Sequence, residues 1–429
     1  MQNLRYGSIG PTVSFAQLGL LRAGYLPVEP DGIFGRLTQS AVLKFQRASG
    51  LRQDGVIGAN TWKSLRPWLE GYLSYQVRRG DTFFRISERY GTSMLALETA
   101  NPKADPLNLQ IGQKLIVPLP FSVVPGNVPF TSLVLESCIN GLHARYPYLG
   151  IGSIGKSVLG RPLHMLRLGV GENKVFVNGT HHANEWITTP VLMQYMENFA
   201  EAYMHGGEIG GIPAETLHGR SALHMVPMVN PDGADLVTGY ITAGTDPFFN
   251  ALMMNGSQEG FPQNWKANIR GVDLNLQYPA DWELAKEIKF AQGYTQPGPR
   301  DYVGPEPLSE PESRAVYEYS RKQDFALTLS YHTQGKVIYW KYKDYEPFGS
   351  RRIGLEFSRL SGYALELTPD ESANAGYRDW FILEYNRPGY TIEAGSGINP
   401  LPLTQFPEIY SNNEGILSYA LFAAAGDQT

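Results

Sequence analysis

At 429 residues, with 42% hydrophobic and 18% charged side chains, the chain is too long for one ordinary core and too apolar to stay disordered. No run of eighteen apolar residues occurs, which excludes a membrane-spanning helix, and a single cysteine excludes an intrachain disulfide or a cysteine-rich metal site. The net charge of −5 argues against a nucleic-acid binder, yet residues 1–120 hold 14 Lys/Arg against 8 Asp/Glu, a balance of +6 that leaves −11 for the remainder.

A basic front end suits an anionic polymer such as a bacterial wall, and ordinary surface variation gives the same numbers. Met1 to Gly10 lacks the basic stretch and apolar run of a signal peptide. The expectation is therefore a cytoplasmic protein of a sporulating mother cell, released later, or a secreted form whose leader has been trimmed. Cys138 lies in the apolar run Leu133–Ile139 without a motif around it, and reads as a small buried core residue.

The first predicted elements are helical. Apolar residues recur at helical spacing over Val13–Leu21 and Thr38–Phe45, separated by the turn Glu29-Pro30-Asp31-Gly32-Ile33-Phe34-Gly35. Asp54-Gly55-Val56-Ile57-Gly58, followed by Thr61-Trp62, repeats the device. The stretch DGIFGRLTQSAVLKFQRASGLRQDGVIGANTW resembles the three-helix peptidoglycan-binding domain of bacterial wall hydrolases, which binds and does not catalyse.

After Gly71, Tyr75-Gln76-Val77 predicts a short strand, Gly80-Asp81-Thr82 a helix start capped by Asp or Thr, Asn101-Pro102 a second helix end, and Leu115–Pro118 a closing strand. The order YQVRRGDTFFRISERYG, LALETANP, LQIGQKLIVPLP resembles a LysM domain, a βααβ fold that grips glycans containing N-acetylglucosamine. Pro118, Pro120, Pro125 and Pro129 then predict a stiff connector.

Beyond residue 130, strand-like runs alternate with helical ones. Lys174–Asn178 precedes a helix from Trp186 to Met204, Leu223–Val229 reads as a strand, and a helix from Ser309 to Gln323 precedes the strand Ala326–Ser330. Such alternation predicts an α/β domain with a mixed, mostly parallel sheet, whose functional groups gather at the carboxyl ends of strands. The expected architecture is thus multidomain: a helical module over 1–70, a βααβ module over 71–120 and an α/β domain with a mixed central sheet over 121–429.

His182 and Glu185 in HHANEWIT have a spacing that suits two metal ligands, one at a strand end and one in a first helical turn. Spacing alone decides nothing, because His205 and Glu208 share it. Context separates the two. HHANEWIT lies between a strand and a long apolar helix, whereas His205 opens a glycine-rich loop, and Ser330-Tyr331-His332 supplies a third ligand at another strand end. His181, the neighbour of His182, points elsewhere and is left out.

These blocks, with MVNPDG (228–233), Trp265-Lys266, GVDLN (271–275) and YTIE (390–393), run in the order found in zinc carboxypeptidases of the carboxypeptidase A type. Asp379, fourteen residues before Glu393, fits the same pattern. The resemblance implies that His182, Glu185 and His332 bind Zn2+, that Asp273 orients a ligating imidazole, and that Glu393 is the general base. It places Lys266 where the family has an oxyanion-stabilising arginine, a role a lysine fills as a point charge.

The departures carry the substrate expectation. Ordinary members hold a terminal carboxylate with an Asn-Arg pair. Here the pair is Asn275-Leu276, and leucine makes no charged clamp. Glu371 stands at the place of the family's mobile tyrosine, and Arg378 occupies the specificity position, where a cation favours a side chain ending in carboxylate. With the wall modules, the chain resembles the γ-D-glutamyl-meso-diaminopimelate peptidases of the endopeptidase I type: Asn275 and Arg378 would bind substrate, and peptidoglycan glycan and stem peptides would be the partners. Two other readings stand beside it, a metallocarboxypeptidase removing acidic C-terminal residues and a wall-anchoring protein with an inactive peptidase domain.

Overall fold

The computed structural model describes residues 2–369 and 372–426, and the chain divides into two compact units, Met1–Leu149 and Gly150–Thr429. In the first unit, helices Pro11–Arg22, Arg36–Ala48 and Ala59–Glu70 form the leading module. Its two repeated turns are latched by buried glutamines. Gln17 Nε2 donates to Asp31 Oδ1 (2.7 Å) and Thr38 Oγ1 (3.0 Å), while its Oε1 accepts the Gly32 N–H at 2.8 Å. Gln46 repeats this with Asp54 (2.9 Å), Thr61 (3.1 Å) and the Gly55 N–H (3.0 Å). Gly32 and Gly55 hold φ of 72° and 69°, the left-handed region that glycine enters freely.

Next comes the βααβ module. Strands β1 (Tyr72–Gln76) and β2 (Lys114–Pro118) pair antiparallel, with helices Phe83–Tyr90 and Met94–Ala100 between them. Thr82 is the cap of the first helix, accepting the Arg85 N–H at 3.1 Å. Asp81 instead ties the turn to β1, accepting from the Tyr75 hydroxyl (2.6 Å) and the Arg78 N–H (2.7 Å). Asn101 caps the second helix end and clips it to β2, donating to the Leu97 and Ile116 carbonyls and accepting the Ile116 N–H.

The unit continues past residue 120. The proline-rich stretch is packed: Val123, Val124, Val128 and Phe130 are buried, and helix Ser132–Arg145 lies against Ala59–Glu70. A Cβ on Gly141 would sit 2.1 Å from the Glu70 carbonyl, so glycine permits this close approach. Cys138 is buried in that helix, as a core residue.

The second unit holds β3 (Gly150–Lys156), β4 (Pro162–Leu168), β5 (Asn173–Gly179), a small hairpin of β6 (Glu208–Ile209) and β7 (Ile212–Pro213), β8 (Ser221–Val226), β9 (Phe325–His332), β10 (Val337–Tyr339), β11 (Ala364–Glu366) and β12 (Gly389–Glu393). Eight of them form one sheet in the order β11-β10-β12-β9-β5-β8-β4-β3. The central four, β12, β9, β5 and β8, run parallel, and antiparallel strands flank them.

A parallel centre needs apolar cover on both faces, and these strands read accordingly: every residue of β8 is buried. Helices Thr188–His205 and Phe406–Ala424 pack together and against β5, and Tyr377–Tyr385 packs on β9 and β12. Phe176, Phe325, Tyr377, Trp380 and Phe381 belong to one core cluster there. Among the described residues no helix is long and apolar enough to cross a membrane.

Candidate metal centre and active site

The site is assembled where the central strands end. Directly after β5, Thr180 adopts φ 54°, a region a β-branched residue avoids at a cost of about 1–3 kcal/mol. Its hydrogen bonds hold it there: the Thr180 N–H donates to Thr188 Oγ1 (3.0 Å), and its own Oγ1 lies 2.8 Å from the hydroxyls of Thr188 and Thr189. The turn sends the next two histidines apart. His181 is buried, with Nε2 2.9 Å from the Tyr278 hydroxyl, whereas His182 lines a cavity of about 680 Å³. Asn230, in the MVNPDG block, secures the turn by donating to the His181 and Ala267 carbonyls (3.2 and 3.0 Å).

His182, Glu185 and His332 converge. His182 Nδ1 lies 2.9 Å from Glu185 Oε1, His332 Nδ1 lies 2.9 Å from Glu185 Oε2, and the two Nδ1 atoms are 3.1 Å apart. His182 Nε2 sits 3.1 Å from Asp273 Oδ1 and serves it as a donor, which leaves the Nδ1 lone pair of a neutral His182 facing the other two groups. Lone pairs crowded in this way repel unless a cation or a proton lies among them. Donors about 2.0–2.1 Å from a tetrahedral zinc stand about 3.3 Å from one another, so the set fits that ion. His205 and Glu208 join no such group among the described residues.

The charges of the site follow from this crowding. Burial pushes the His182 imidazolium down, but the Glu185 and Asp273 carboxylates outweigh it and raise the pKa to about 9. Burial also pushes Glu185 up, and the two histidines overcome that to hold its carboxyl well below the usual range. Glu393, at the end of β12 and in register with His332, is raised to about 8 by burial and by the Glu185 carboxylate. Asp273 is fully buried and forms an ion pair through Oδ2 with Lys266 Nζ at 3.2 Å.

Lys266, Asp273, Asn275, Leu276, Arg378, Asp379 and Glu393 line the same cavity. Asn275 Oδ1 accepts the Tyr377 N–H at 3.1 Å, which leaves its amide donors for the cavity. Leu276 is buried in an apolar cluster with Trp282, Val303 and Ala375, so this position beside Asn275 supplies no charge. Arg378 is 4% exposed, donates to Thr368 Oγ1 at 2.7 Å and pairs with Asp379, which in turn accepts the Gly376 N–H at the start of helix Tyr377–Tyr385. Glu371 lies outside the described residues.

Sequence reading missed a second charged group on the cavity wall. Lys289 Nζ lies 3.1 Å from Asp301 Oδ1, and Arg300 Nε lies 2.8 Å from Asp301 Oδ2. No short motif marks these residues. The one local signal is the adjacency of Arg300 and Asp301 beyond the GVDLN block.

Comparison with known proteins places these features. A family model described as zinc carboxypeptidase matches residues 135–413, a peptidoglycan binding domain model matches 9–65, and a LysM domain model matches 75–118. The chain is 40% identical over 306 residues to gamma-D-glutamyl-L-diamino acid endopeptidase 1 of Lysinibacillus sphaericus, covering 71% of this chain and 75% of that one. It is 42% identical over 280 residues to the uncharacterized protein YqgT of Bacillus subtilis strain 168, covering 65% and 73%. Among solved structures, carboxypeptidase A from Helicoverpa armigera superposes with a TM-score of 0.53 at 18% identity, covering 90% of this chain and 88% of that one, a likeness of fold.

Proposed function

This chain belongs to the zinc carboxypeptidase family as a metallopeptidase, and we propose that it hydrolyses the γ-D-glutamyl-meso-diaminopimelate bond of peptidoglycan stem peptides. The observation that carries the reading is Leu276. A carboxypeptidase needs a cation beside Asn275 to hold a terminal carboxylate, and the buried leucine lets the main chain continue past that point. The activity for which the Lysinibacillus relative is named supports the same bond class, and the peptidoglycan binding and LysM modules bring the unit to its polymer.

His182, Glu185 and His332 would hold the zinc ion, with Asp273 fixing the tautomer of His182. Zinc in such a set supplies a water made acidic at neutral pH and a Lewis acid for the amide carbonyl. Glu393 takes the proton of the attacking water and delivers it to the leaving nitrogen of diaminopimelate. Lys266, held by Asp273, presents a fixed positive charge to the oxygen of the attacked carbonyl. Asn275 offers amide donors to the peptide beyond the scissile bond, and Arg378 faces the distal carboxylate of diaminopimelate.

Loading with the ion requires a neutral His182, whose pKa in the metal-free protein is raised to about 9. At pH 7 the imidazole therefore carries a proton that zinc must displace. Apparent zinc affinity is expected to rise about tenfold per pH unit from about pH 7 to about pH 9 and to flatten above. Competition against a chromophoric chelator across that range measures it, and a flat profile would show that zinc displaces no proton from His182.

The substrate reading is tested by digesting a defined stem, L-Ala-γ-D-Glu-meso-diaminopimelate-D-Ala, beside ordinary peptides ending in glutamate. L-Ala-D-Glu and diaminopimelyl-D-Ala are the expected products. Release of terminal glutamate alone would identify a carboxypeptidase, and no cleavage by the zinc-loaded chain would identify a binding protein.

A further inference from the structure

A side lobe continues from the wall of the cavity that bears Lys266. Lys266, Lys289, Arg300, Asp301 and Ser372 line both the lobe and the main cavity, Gln292 and Tyr294 line the lobe alone, and His332, Glu393 and Arg378 lie outside it. Its charge is positive. Lys266 is balanced by Asp273, and Lys289 and Arg300 share the single carboxylate of Asp301. Only Nε of Arg300 is used in that pair; among the described residues its terminal nitrogens bond no other group, and its side chain is 52% exposed.

An arginine with one edge fixed and the other open is prepared to bind a carboxylate. We infer that Arg300, with Lys289 behind it, recognises the free α-carboxylate of the D-glutamyl residue on the acyl side of the scissile bond. This rests on the γ-peptidase reading and adds its specificity determinant.

The chemistry of a γ-linkage leads to that assignment. When the bond to be cut is formed through the γ-carboxyl, the α-carboxylate of the same residue is left free, separated from the attacked carbonyl by two methylenes and Cα. An ordinary α-linked peptide has no anion there. Lys266, proposed above to face the attacked carbonyl, lines the lobe together with Arg300, so the short arm from that carbonyl would run toward Arg300. Arg378 belongs to the other part of the cavity and is left for the diaminopimelate side. The two carboxylates that mark the bond, one on each side, thus meet different cations.

The test uses two stems that differ in one group: the α-carboxylate of D-glutamate, and its α-amide, D-isoglutamine. The zinc-loaded full chain is expected to cleave the free acid with kcat/KM about 10- to 100-fold higher than the amide. Arg300→Gln is expected to remove most of that preference by slowing the acid, leaving the amide within about threefold of its original rate. Arg300→Lys is expected to restore part of it, since a lysine supplies charge without the planar fork. Equal cleavage of both stems by the unmodified chain, or an equal loss on both in Arg300→Gln, overturns the inference and leaves the γ-peptidase reading standing. Cleavage of neither stem, with terminal glutamate still released from ordinary peptides, overturns the underlying reading and the inference with it.

Discussion

Glu393→Gln is expected to lower kcat by about 10³- to 10⁴-fold while leaving retention on purified wall and zinc content unchanged. The carboxylate sits at the end of β12, in register with His332 of β9, so its position is set by the sheet and an isosteric amide keeps it. Gln has the same shape and no basic oxygen for a proton. The same change removes a liability of the metal-free protein. With its pKa raised from 4.5 to about 8, Glu393 contributes stability fully present below about pH 4.5 and lost as pH rises through 8. The metal-free Glu393→Gln chain is therefore expected to unfold at a higher temperature than the unsubstituted one at pH 8, with the difference vanishing near pH 4. Turnover of the defined stem and thermal scans at both pH values check it. Undiminished turnover refutes Glu393 as the base.

His332→Ala is expected to have a comparably large effect by a different route. It removes one of three converging donors and leaves Glu185 buried beside a single histidine. Zinc retained after gel filtration is expected to fall from about one ion per chain to below about a tenth, and turnover to fall more than about 100-fold. Chelation should reproduce the loss in the unsubstituted chain, and added zinc should reverse it there but not in the variant. A variant that keeps a full complement of zinc would show that His332 is no ligand. The pair of substitutions separates chemistry from metal retention, since Glu393→Gln is expected to keep the ion and His332→Ala to lose it.

The residues legible in the sequence are those whose role depends on local context. HHANEWIT announces itself because a strand, a turn and a helix start must follow one another there, and Ser330-Tyr331-His332 because β9 ends in it. The alternation of strands and helices predicts the mixed sheet, although β9 runs two residues beyond the predicted Ser330 and so carries His332 inside the strand. What escaped depends on pairing through space. Gln17 and Gln46 look like polar positions on amphipathic helices, and their role appears only when the turns fold back over them. The Lys289–Arg300–Asp301 group joins a helix to a loop with no periodic signature. Nor does any residue type foretell that Thr180 takes a left-handed conformation; that follows from the hydroxyls of Thr188 and Thr189 waiting on the next helix.

The strand order of the central sheet also sets when a hydrolytic site can exist. His182 follows β5 and His332 ends β9, strands that are neighbours in space but 146 residues apart in sequence from Gly179 to Phe325, and Glu393 arrives on β12 beyond them. Ribosomal synthesis delivers these groups in that order, and pairing over so long an interval is slow because loop closure precedes the contacts that reward it. A growing chain that has not yet made β12 can fold its peptidoglycan binding and LysM modules and still lack Glu393. The three groups can therefore meet only once β12, the last strand of the sheet in chain order, has been made and has paired beside β9.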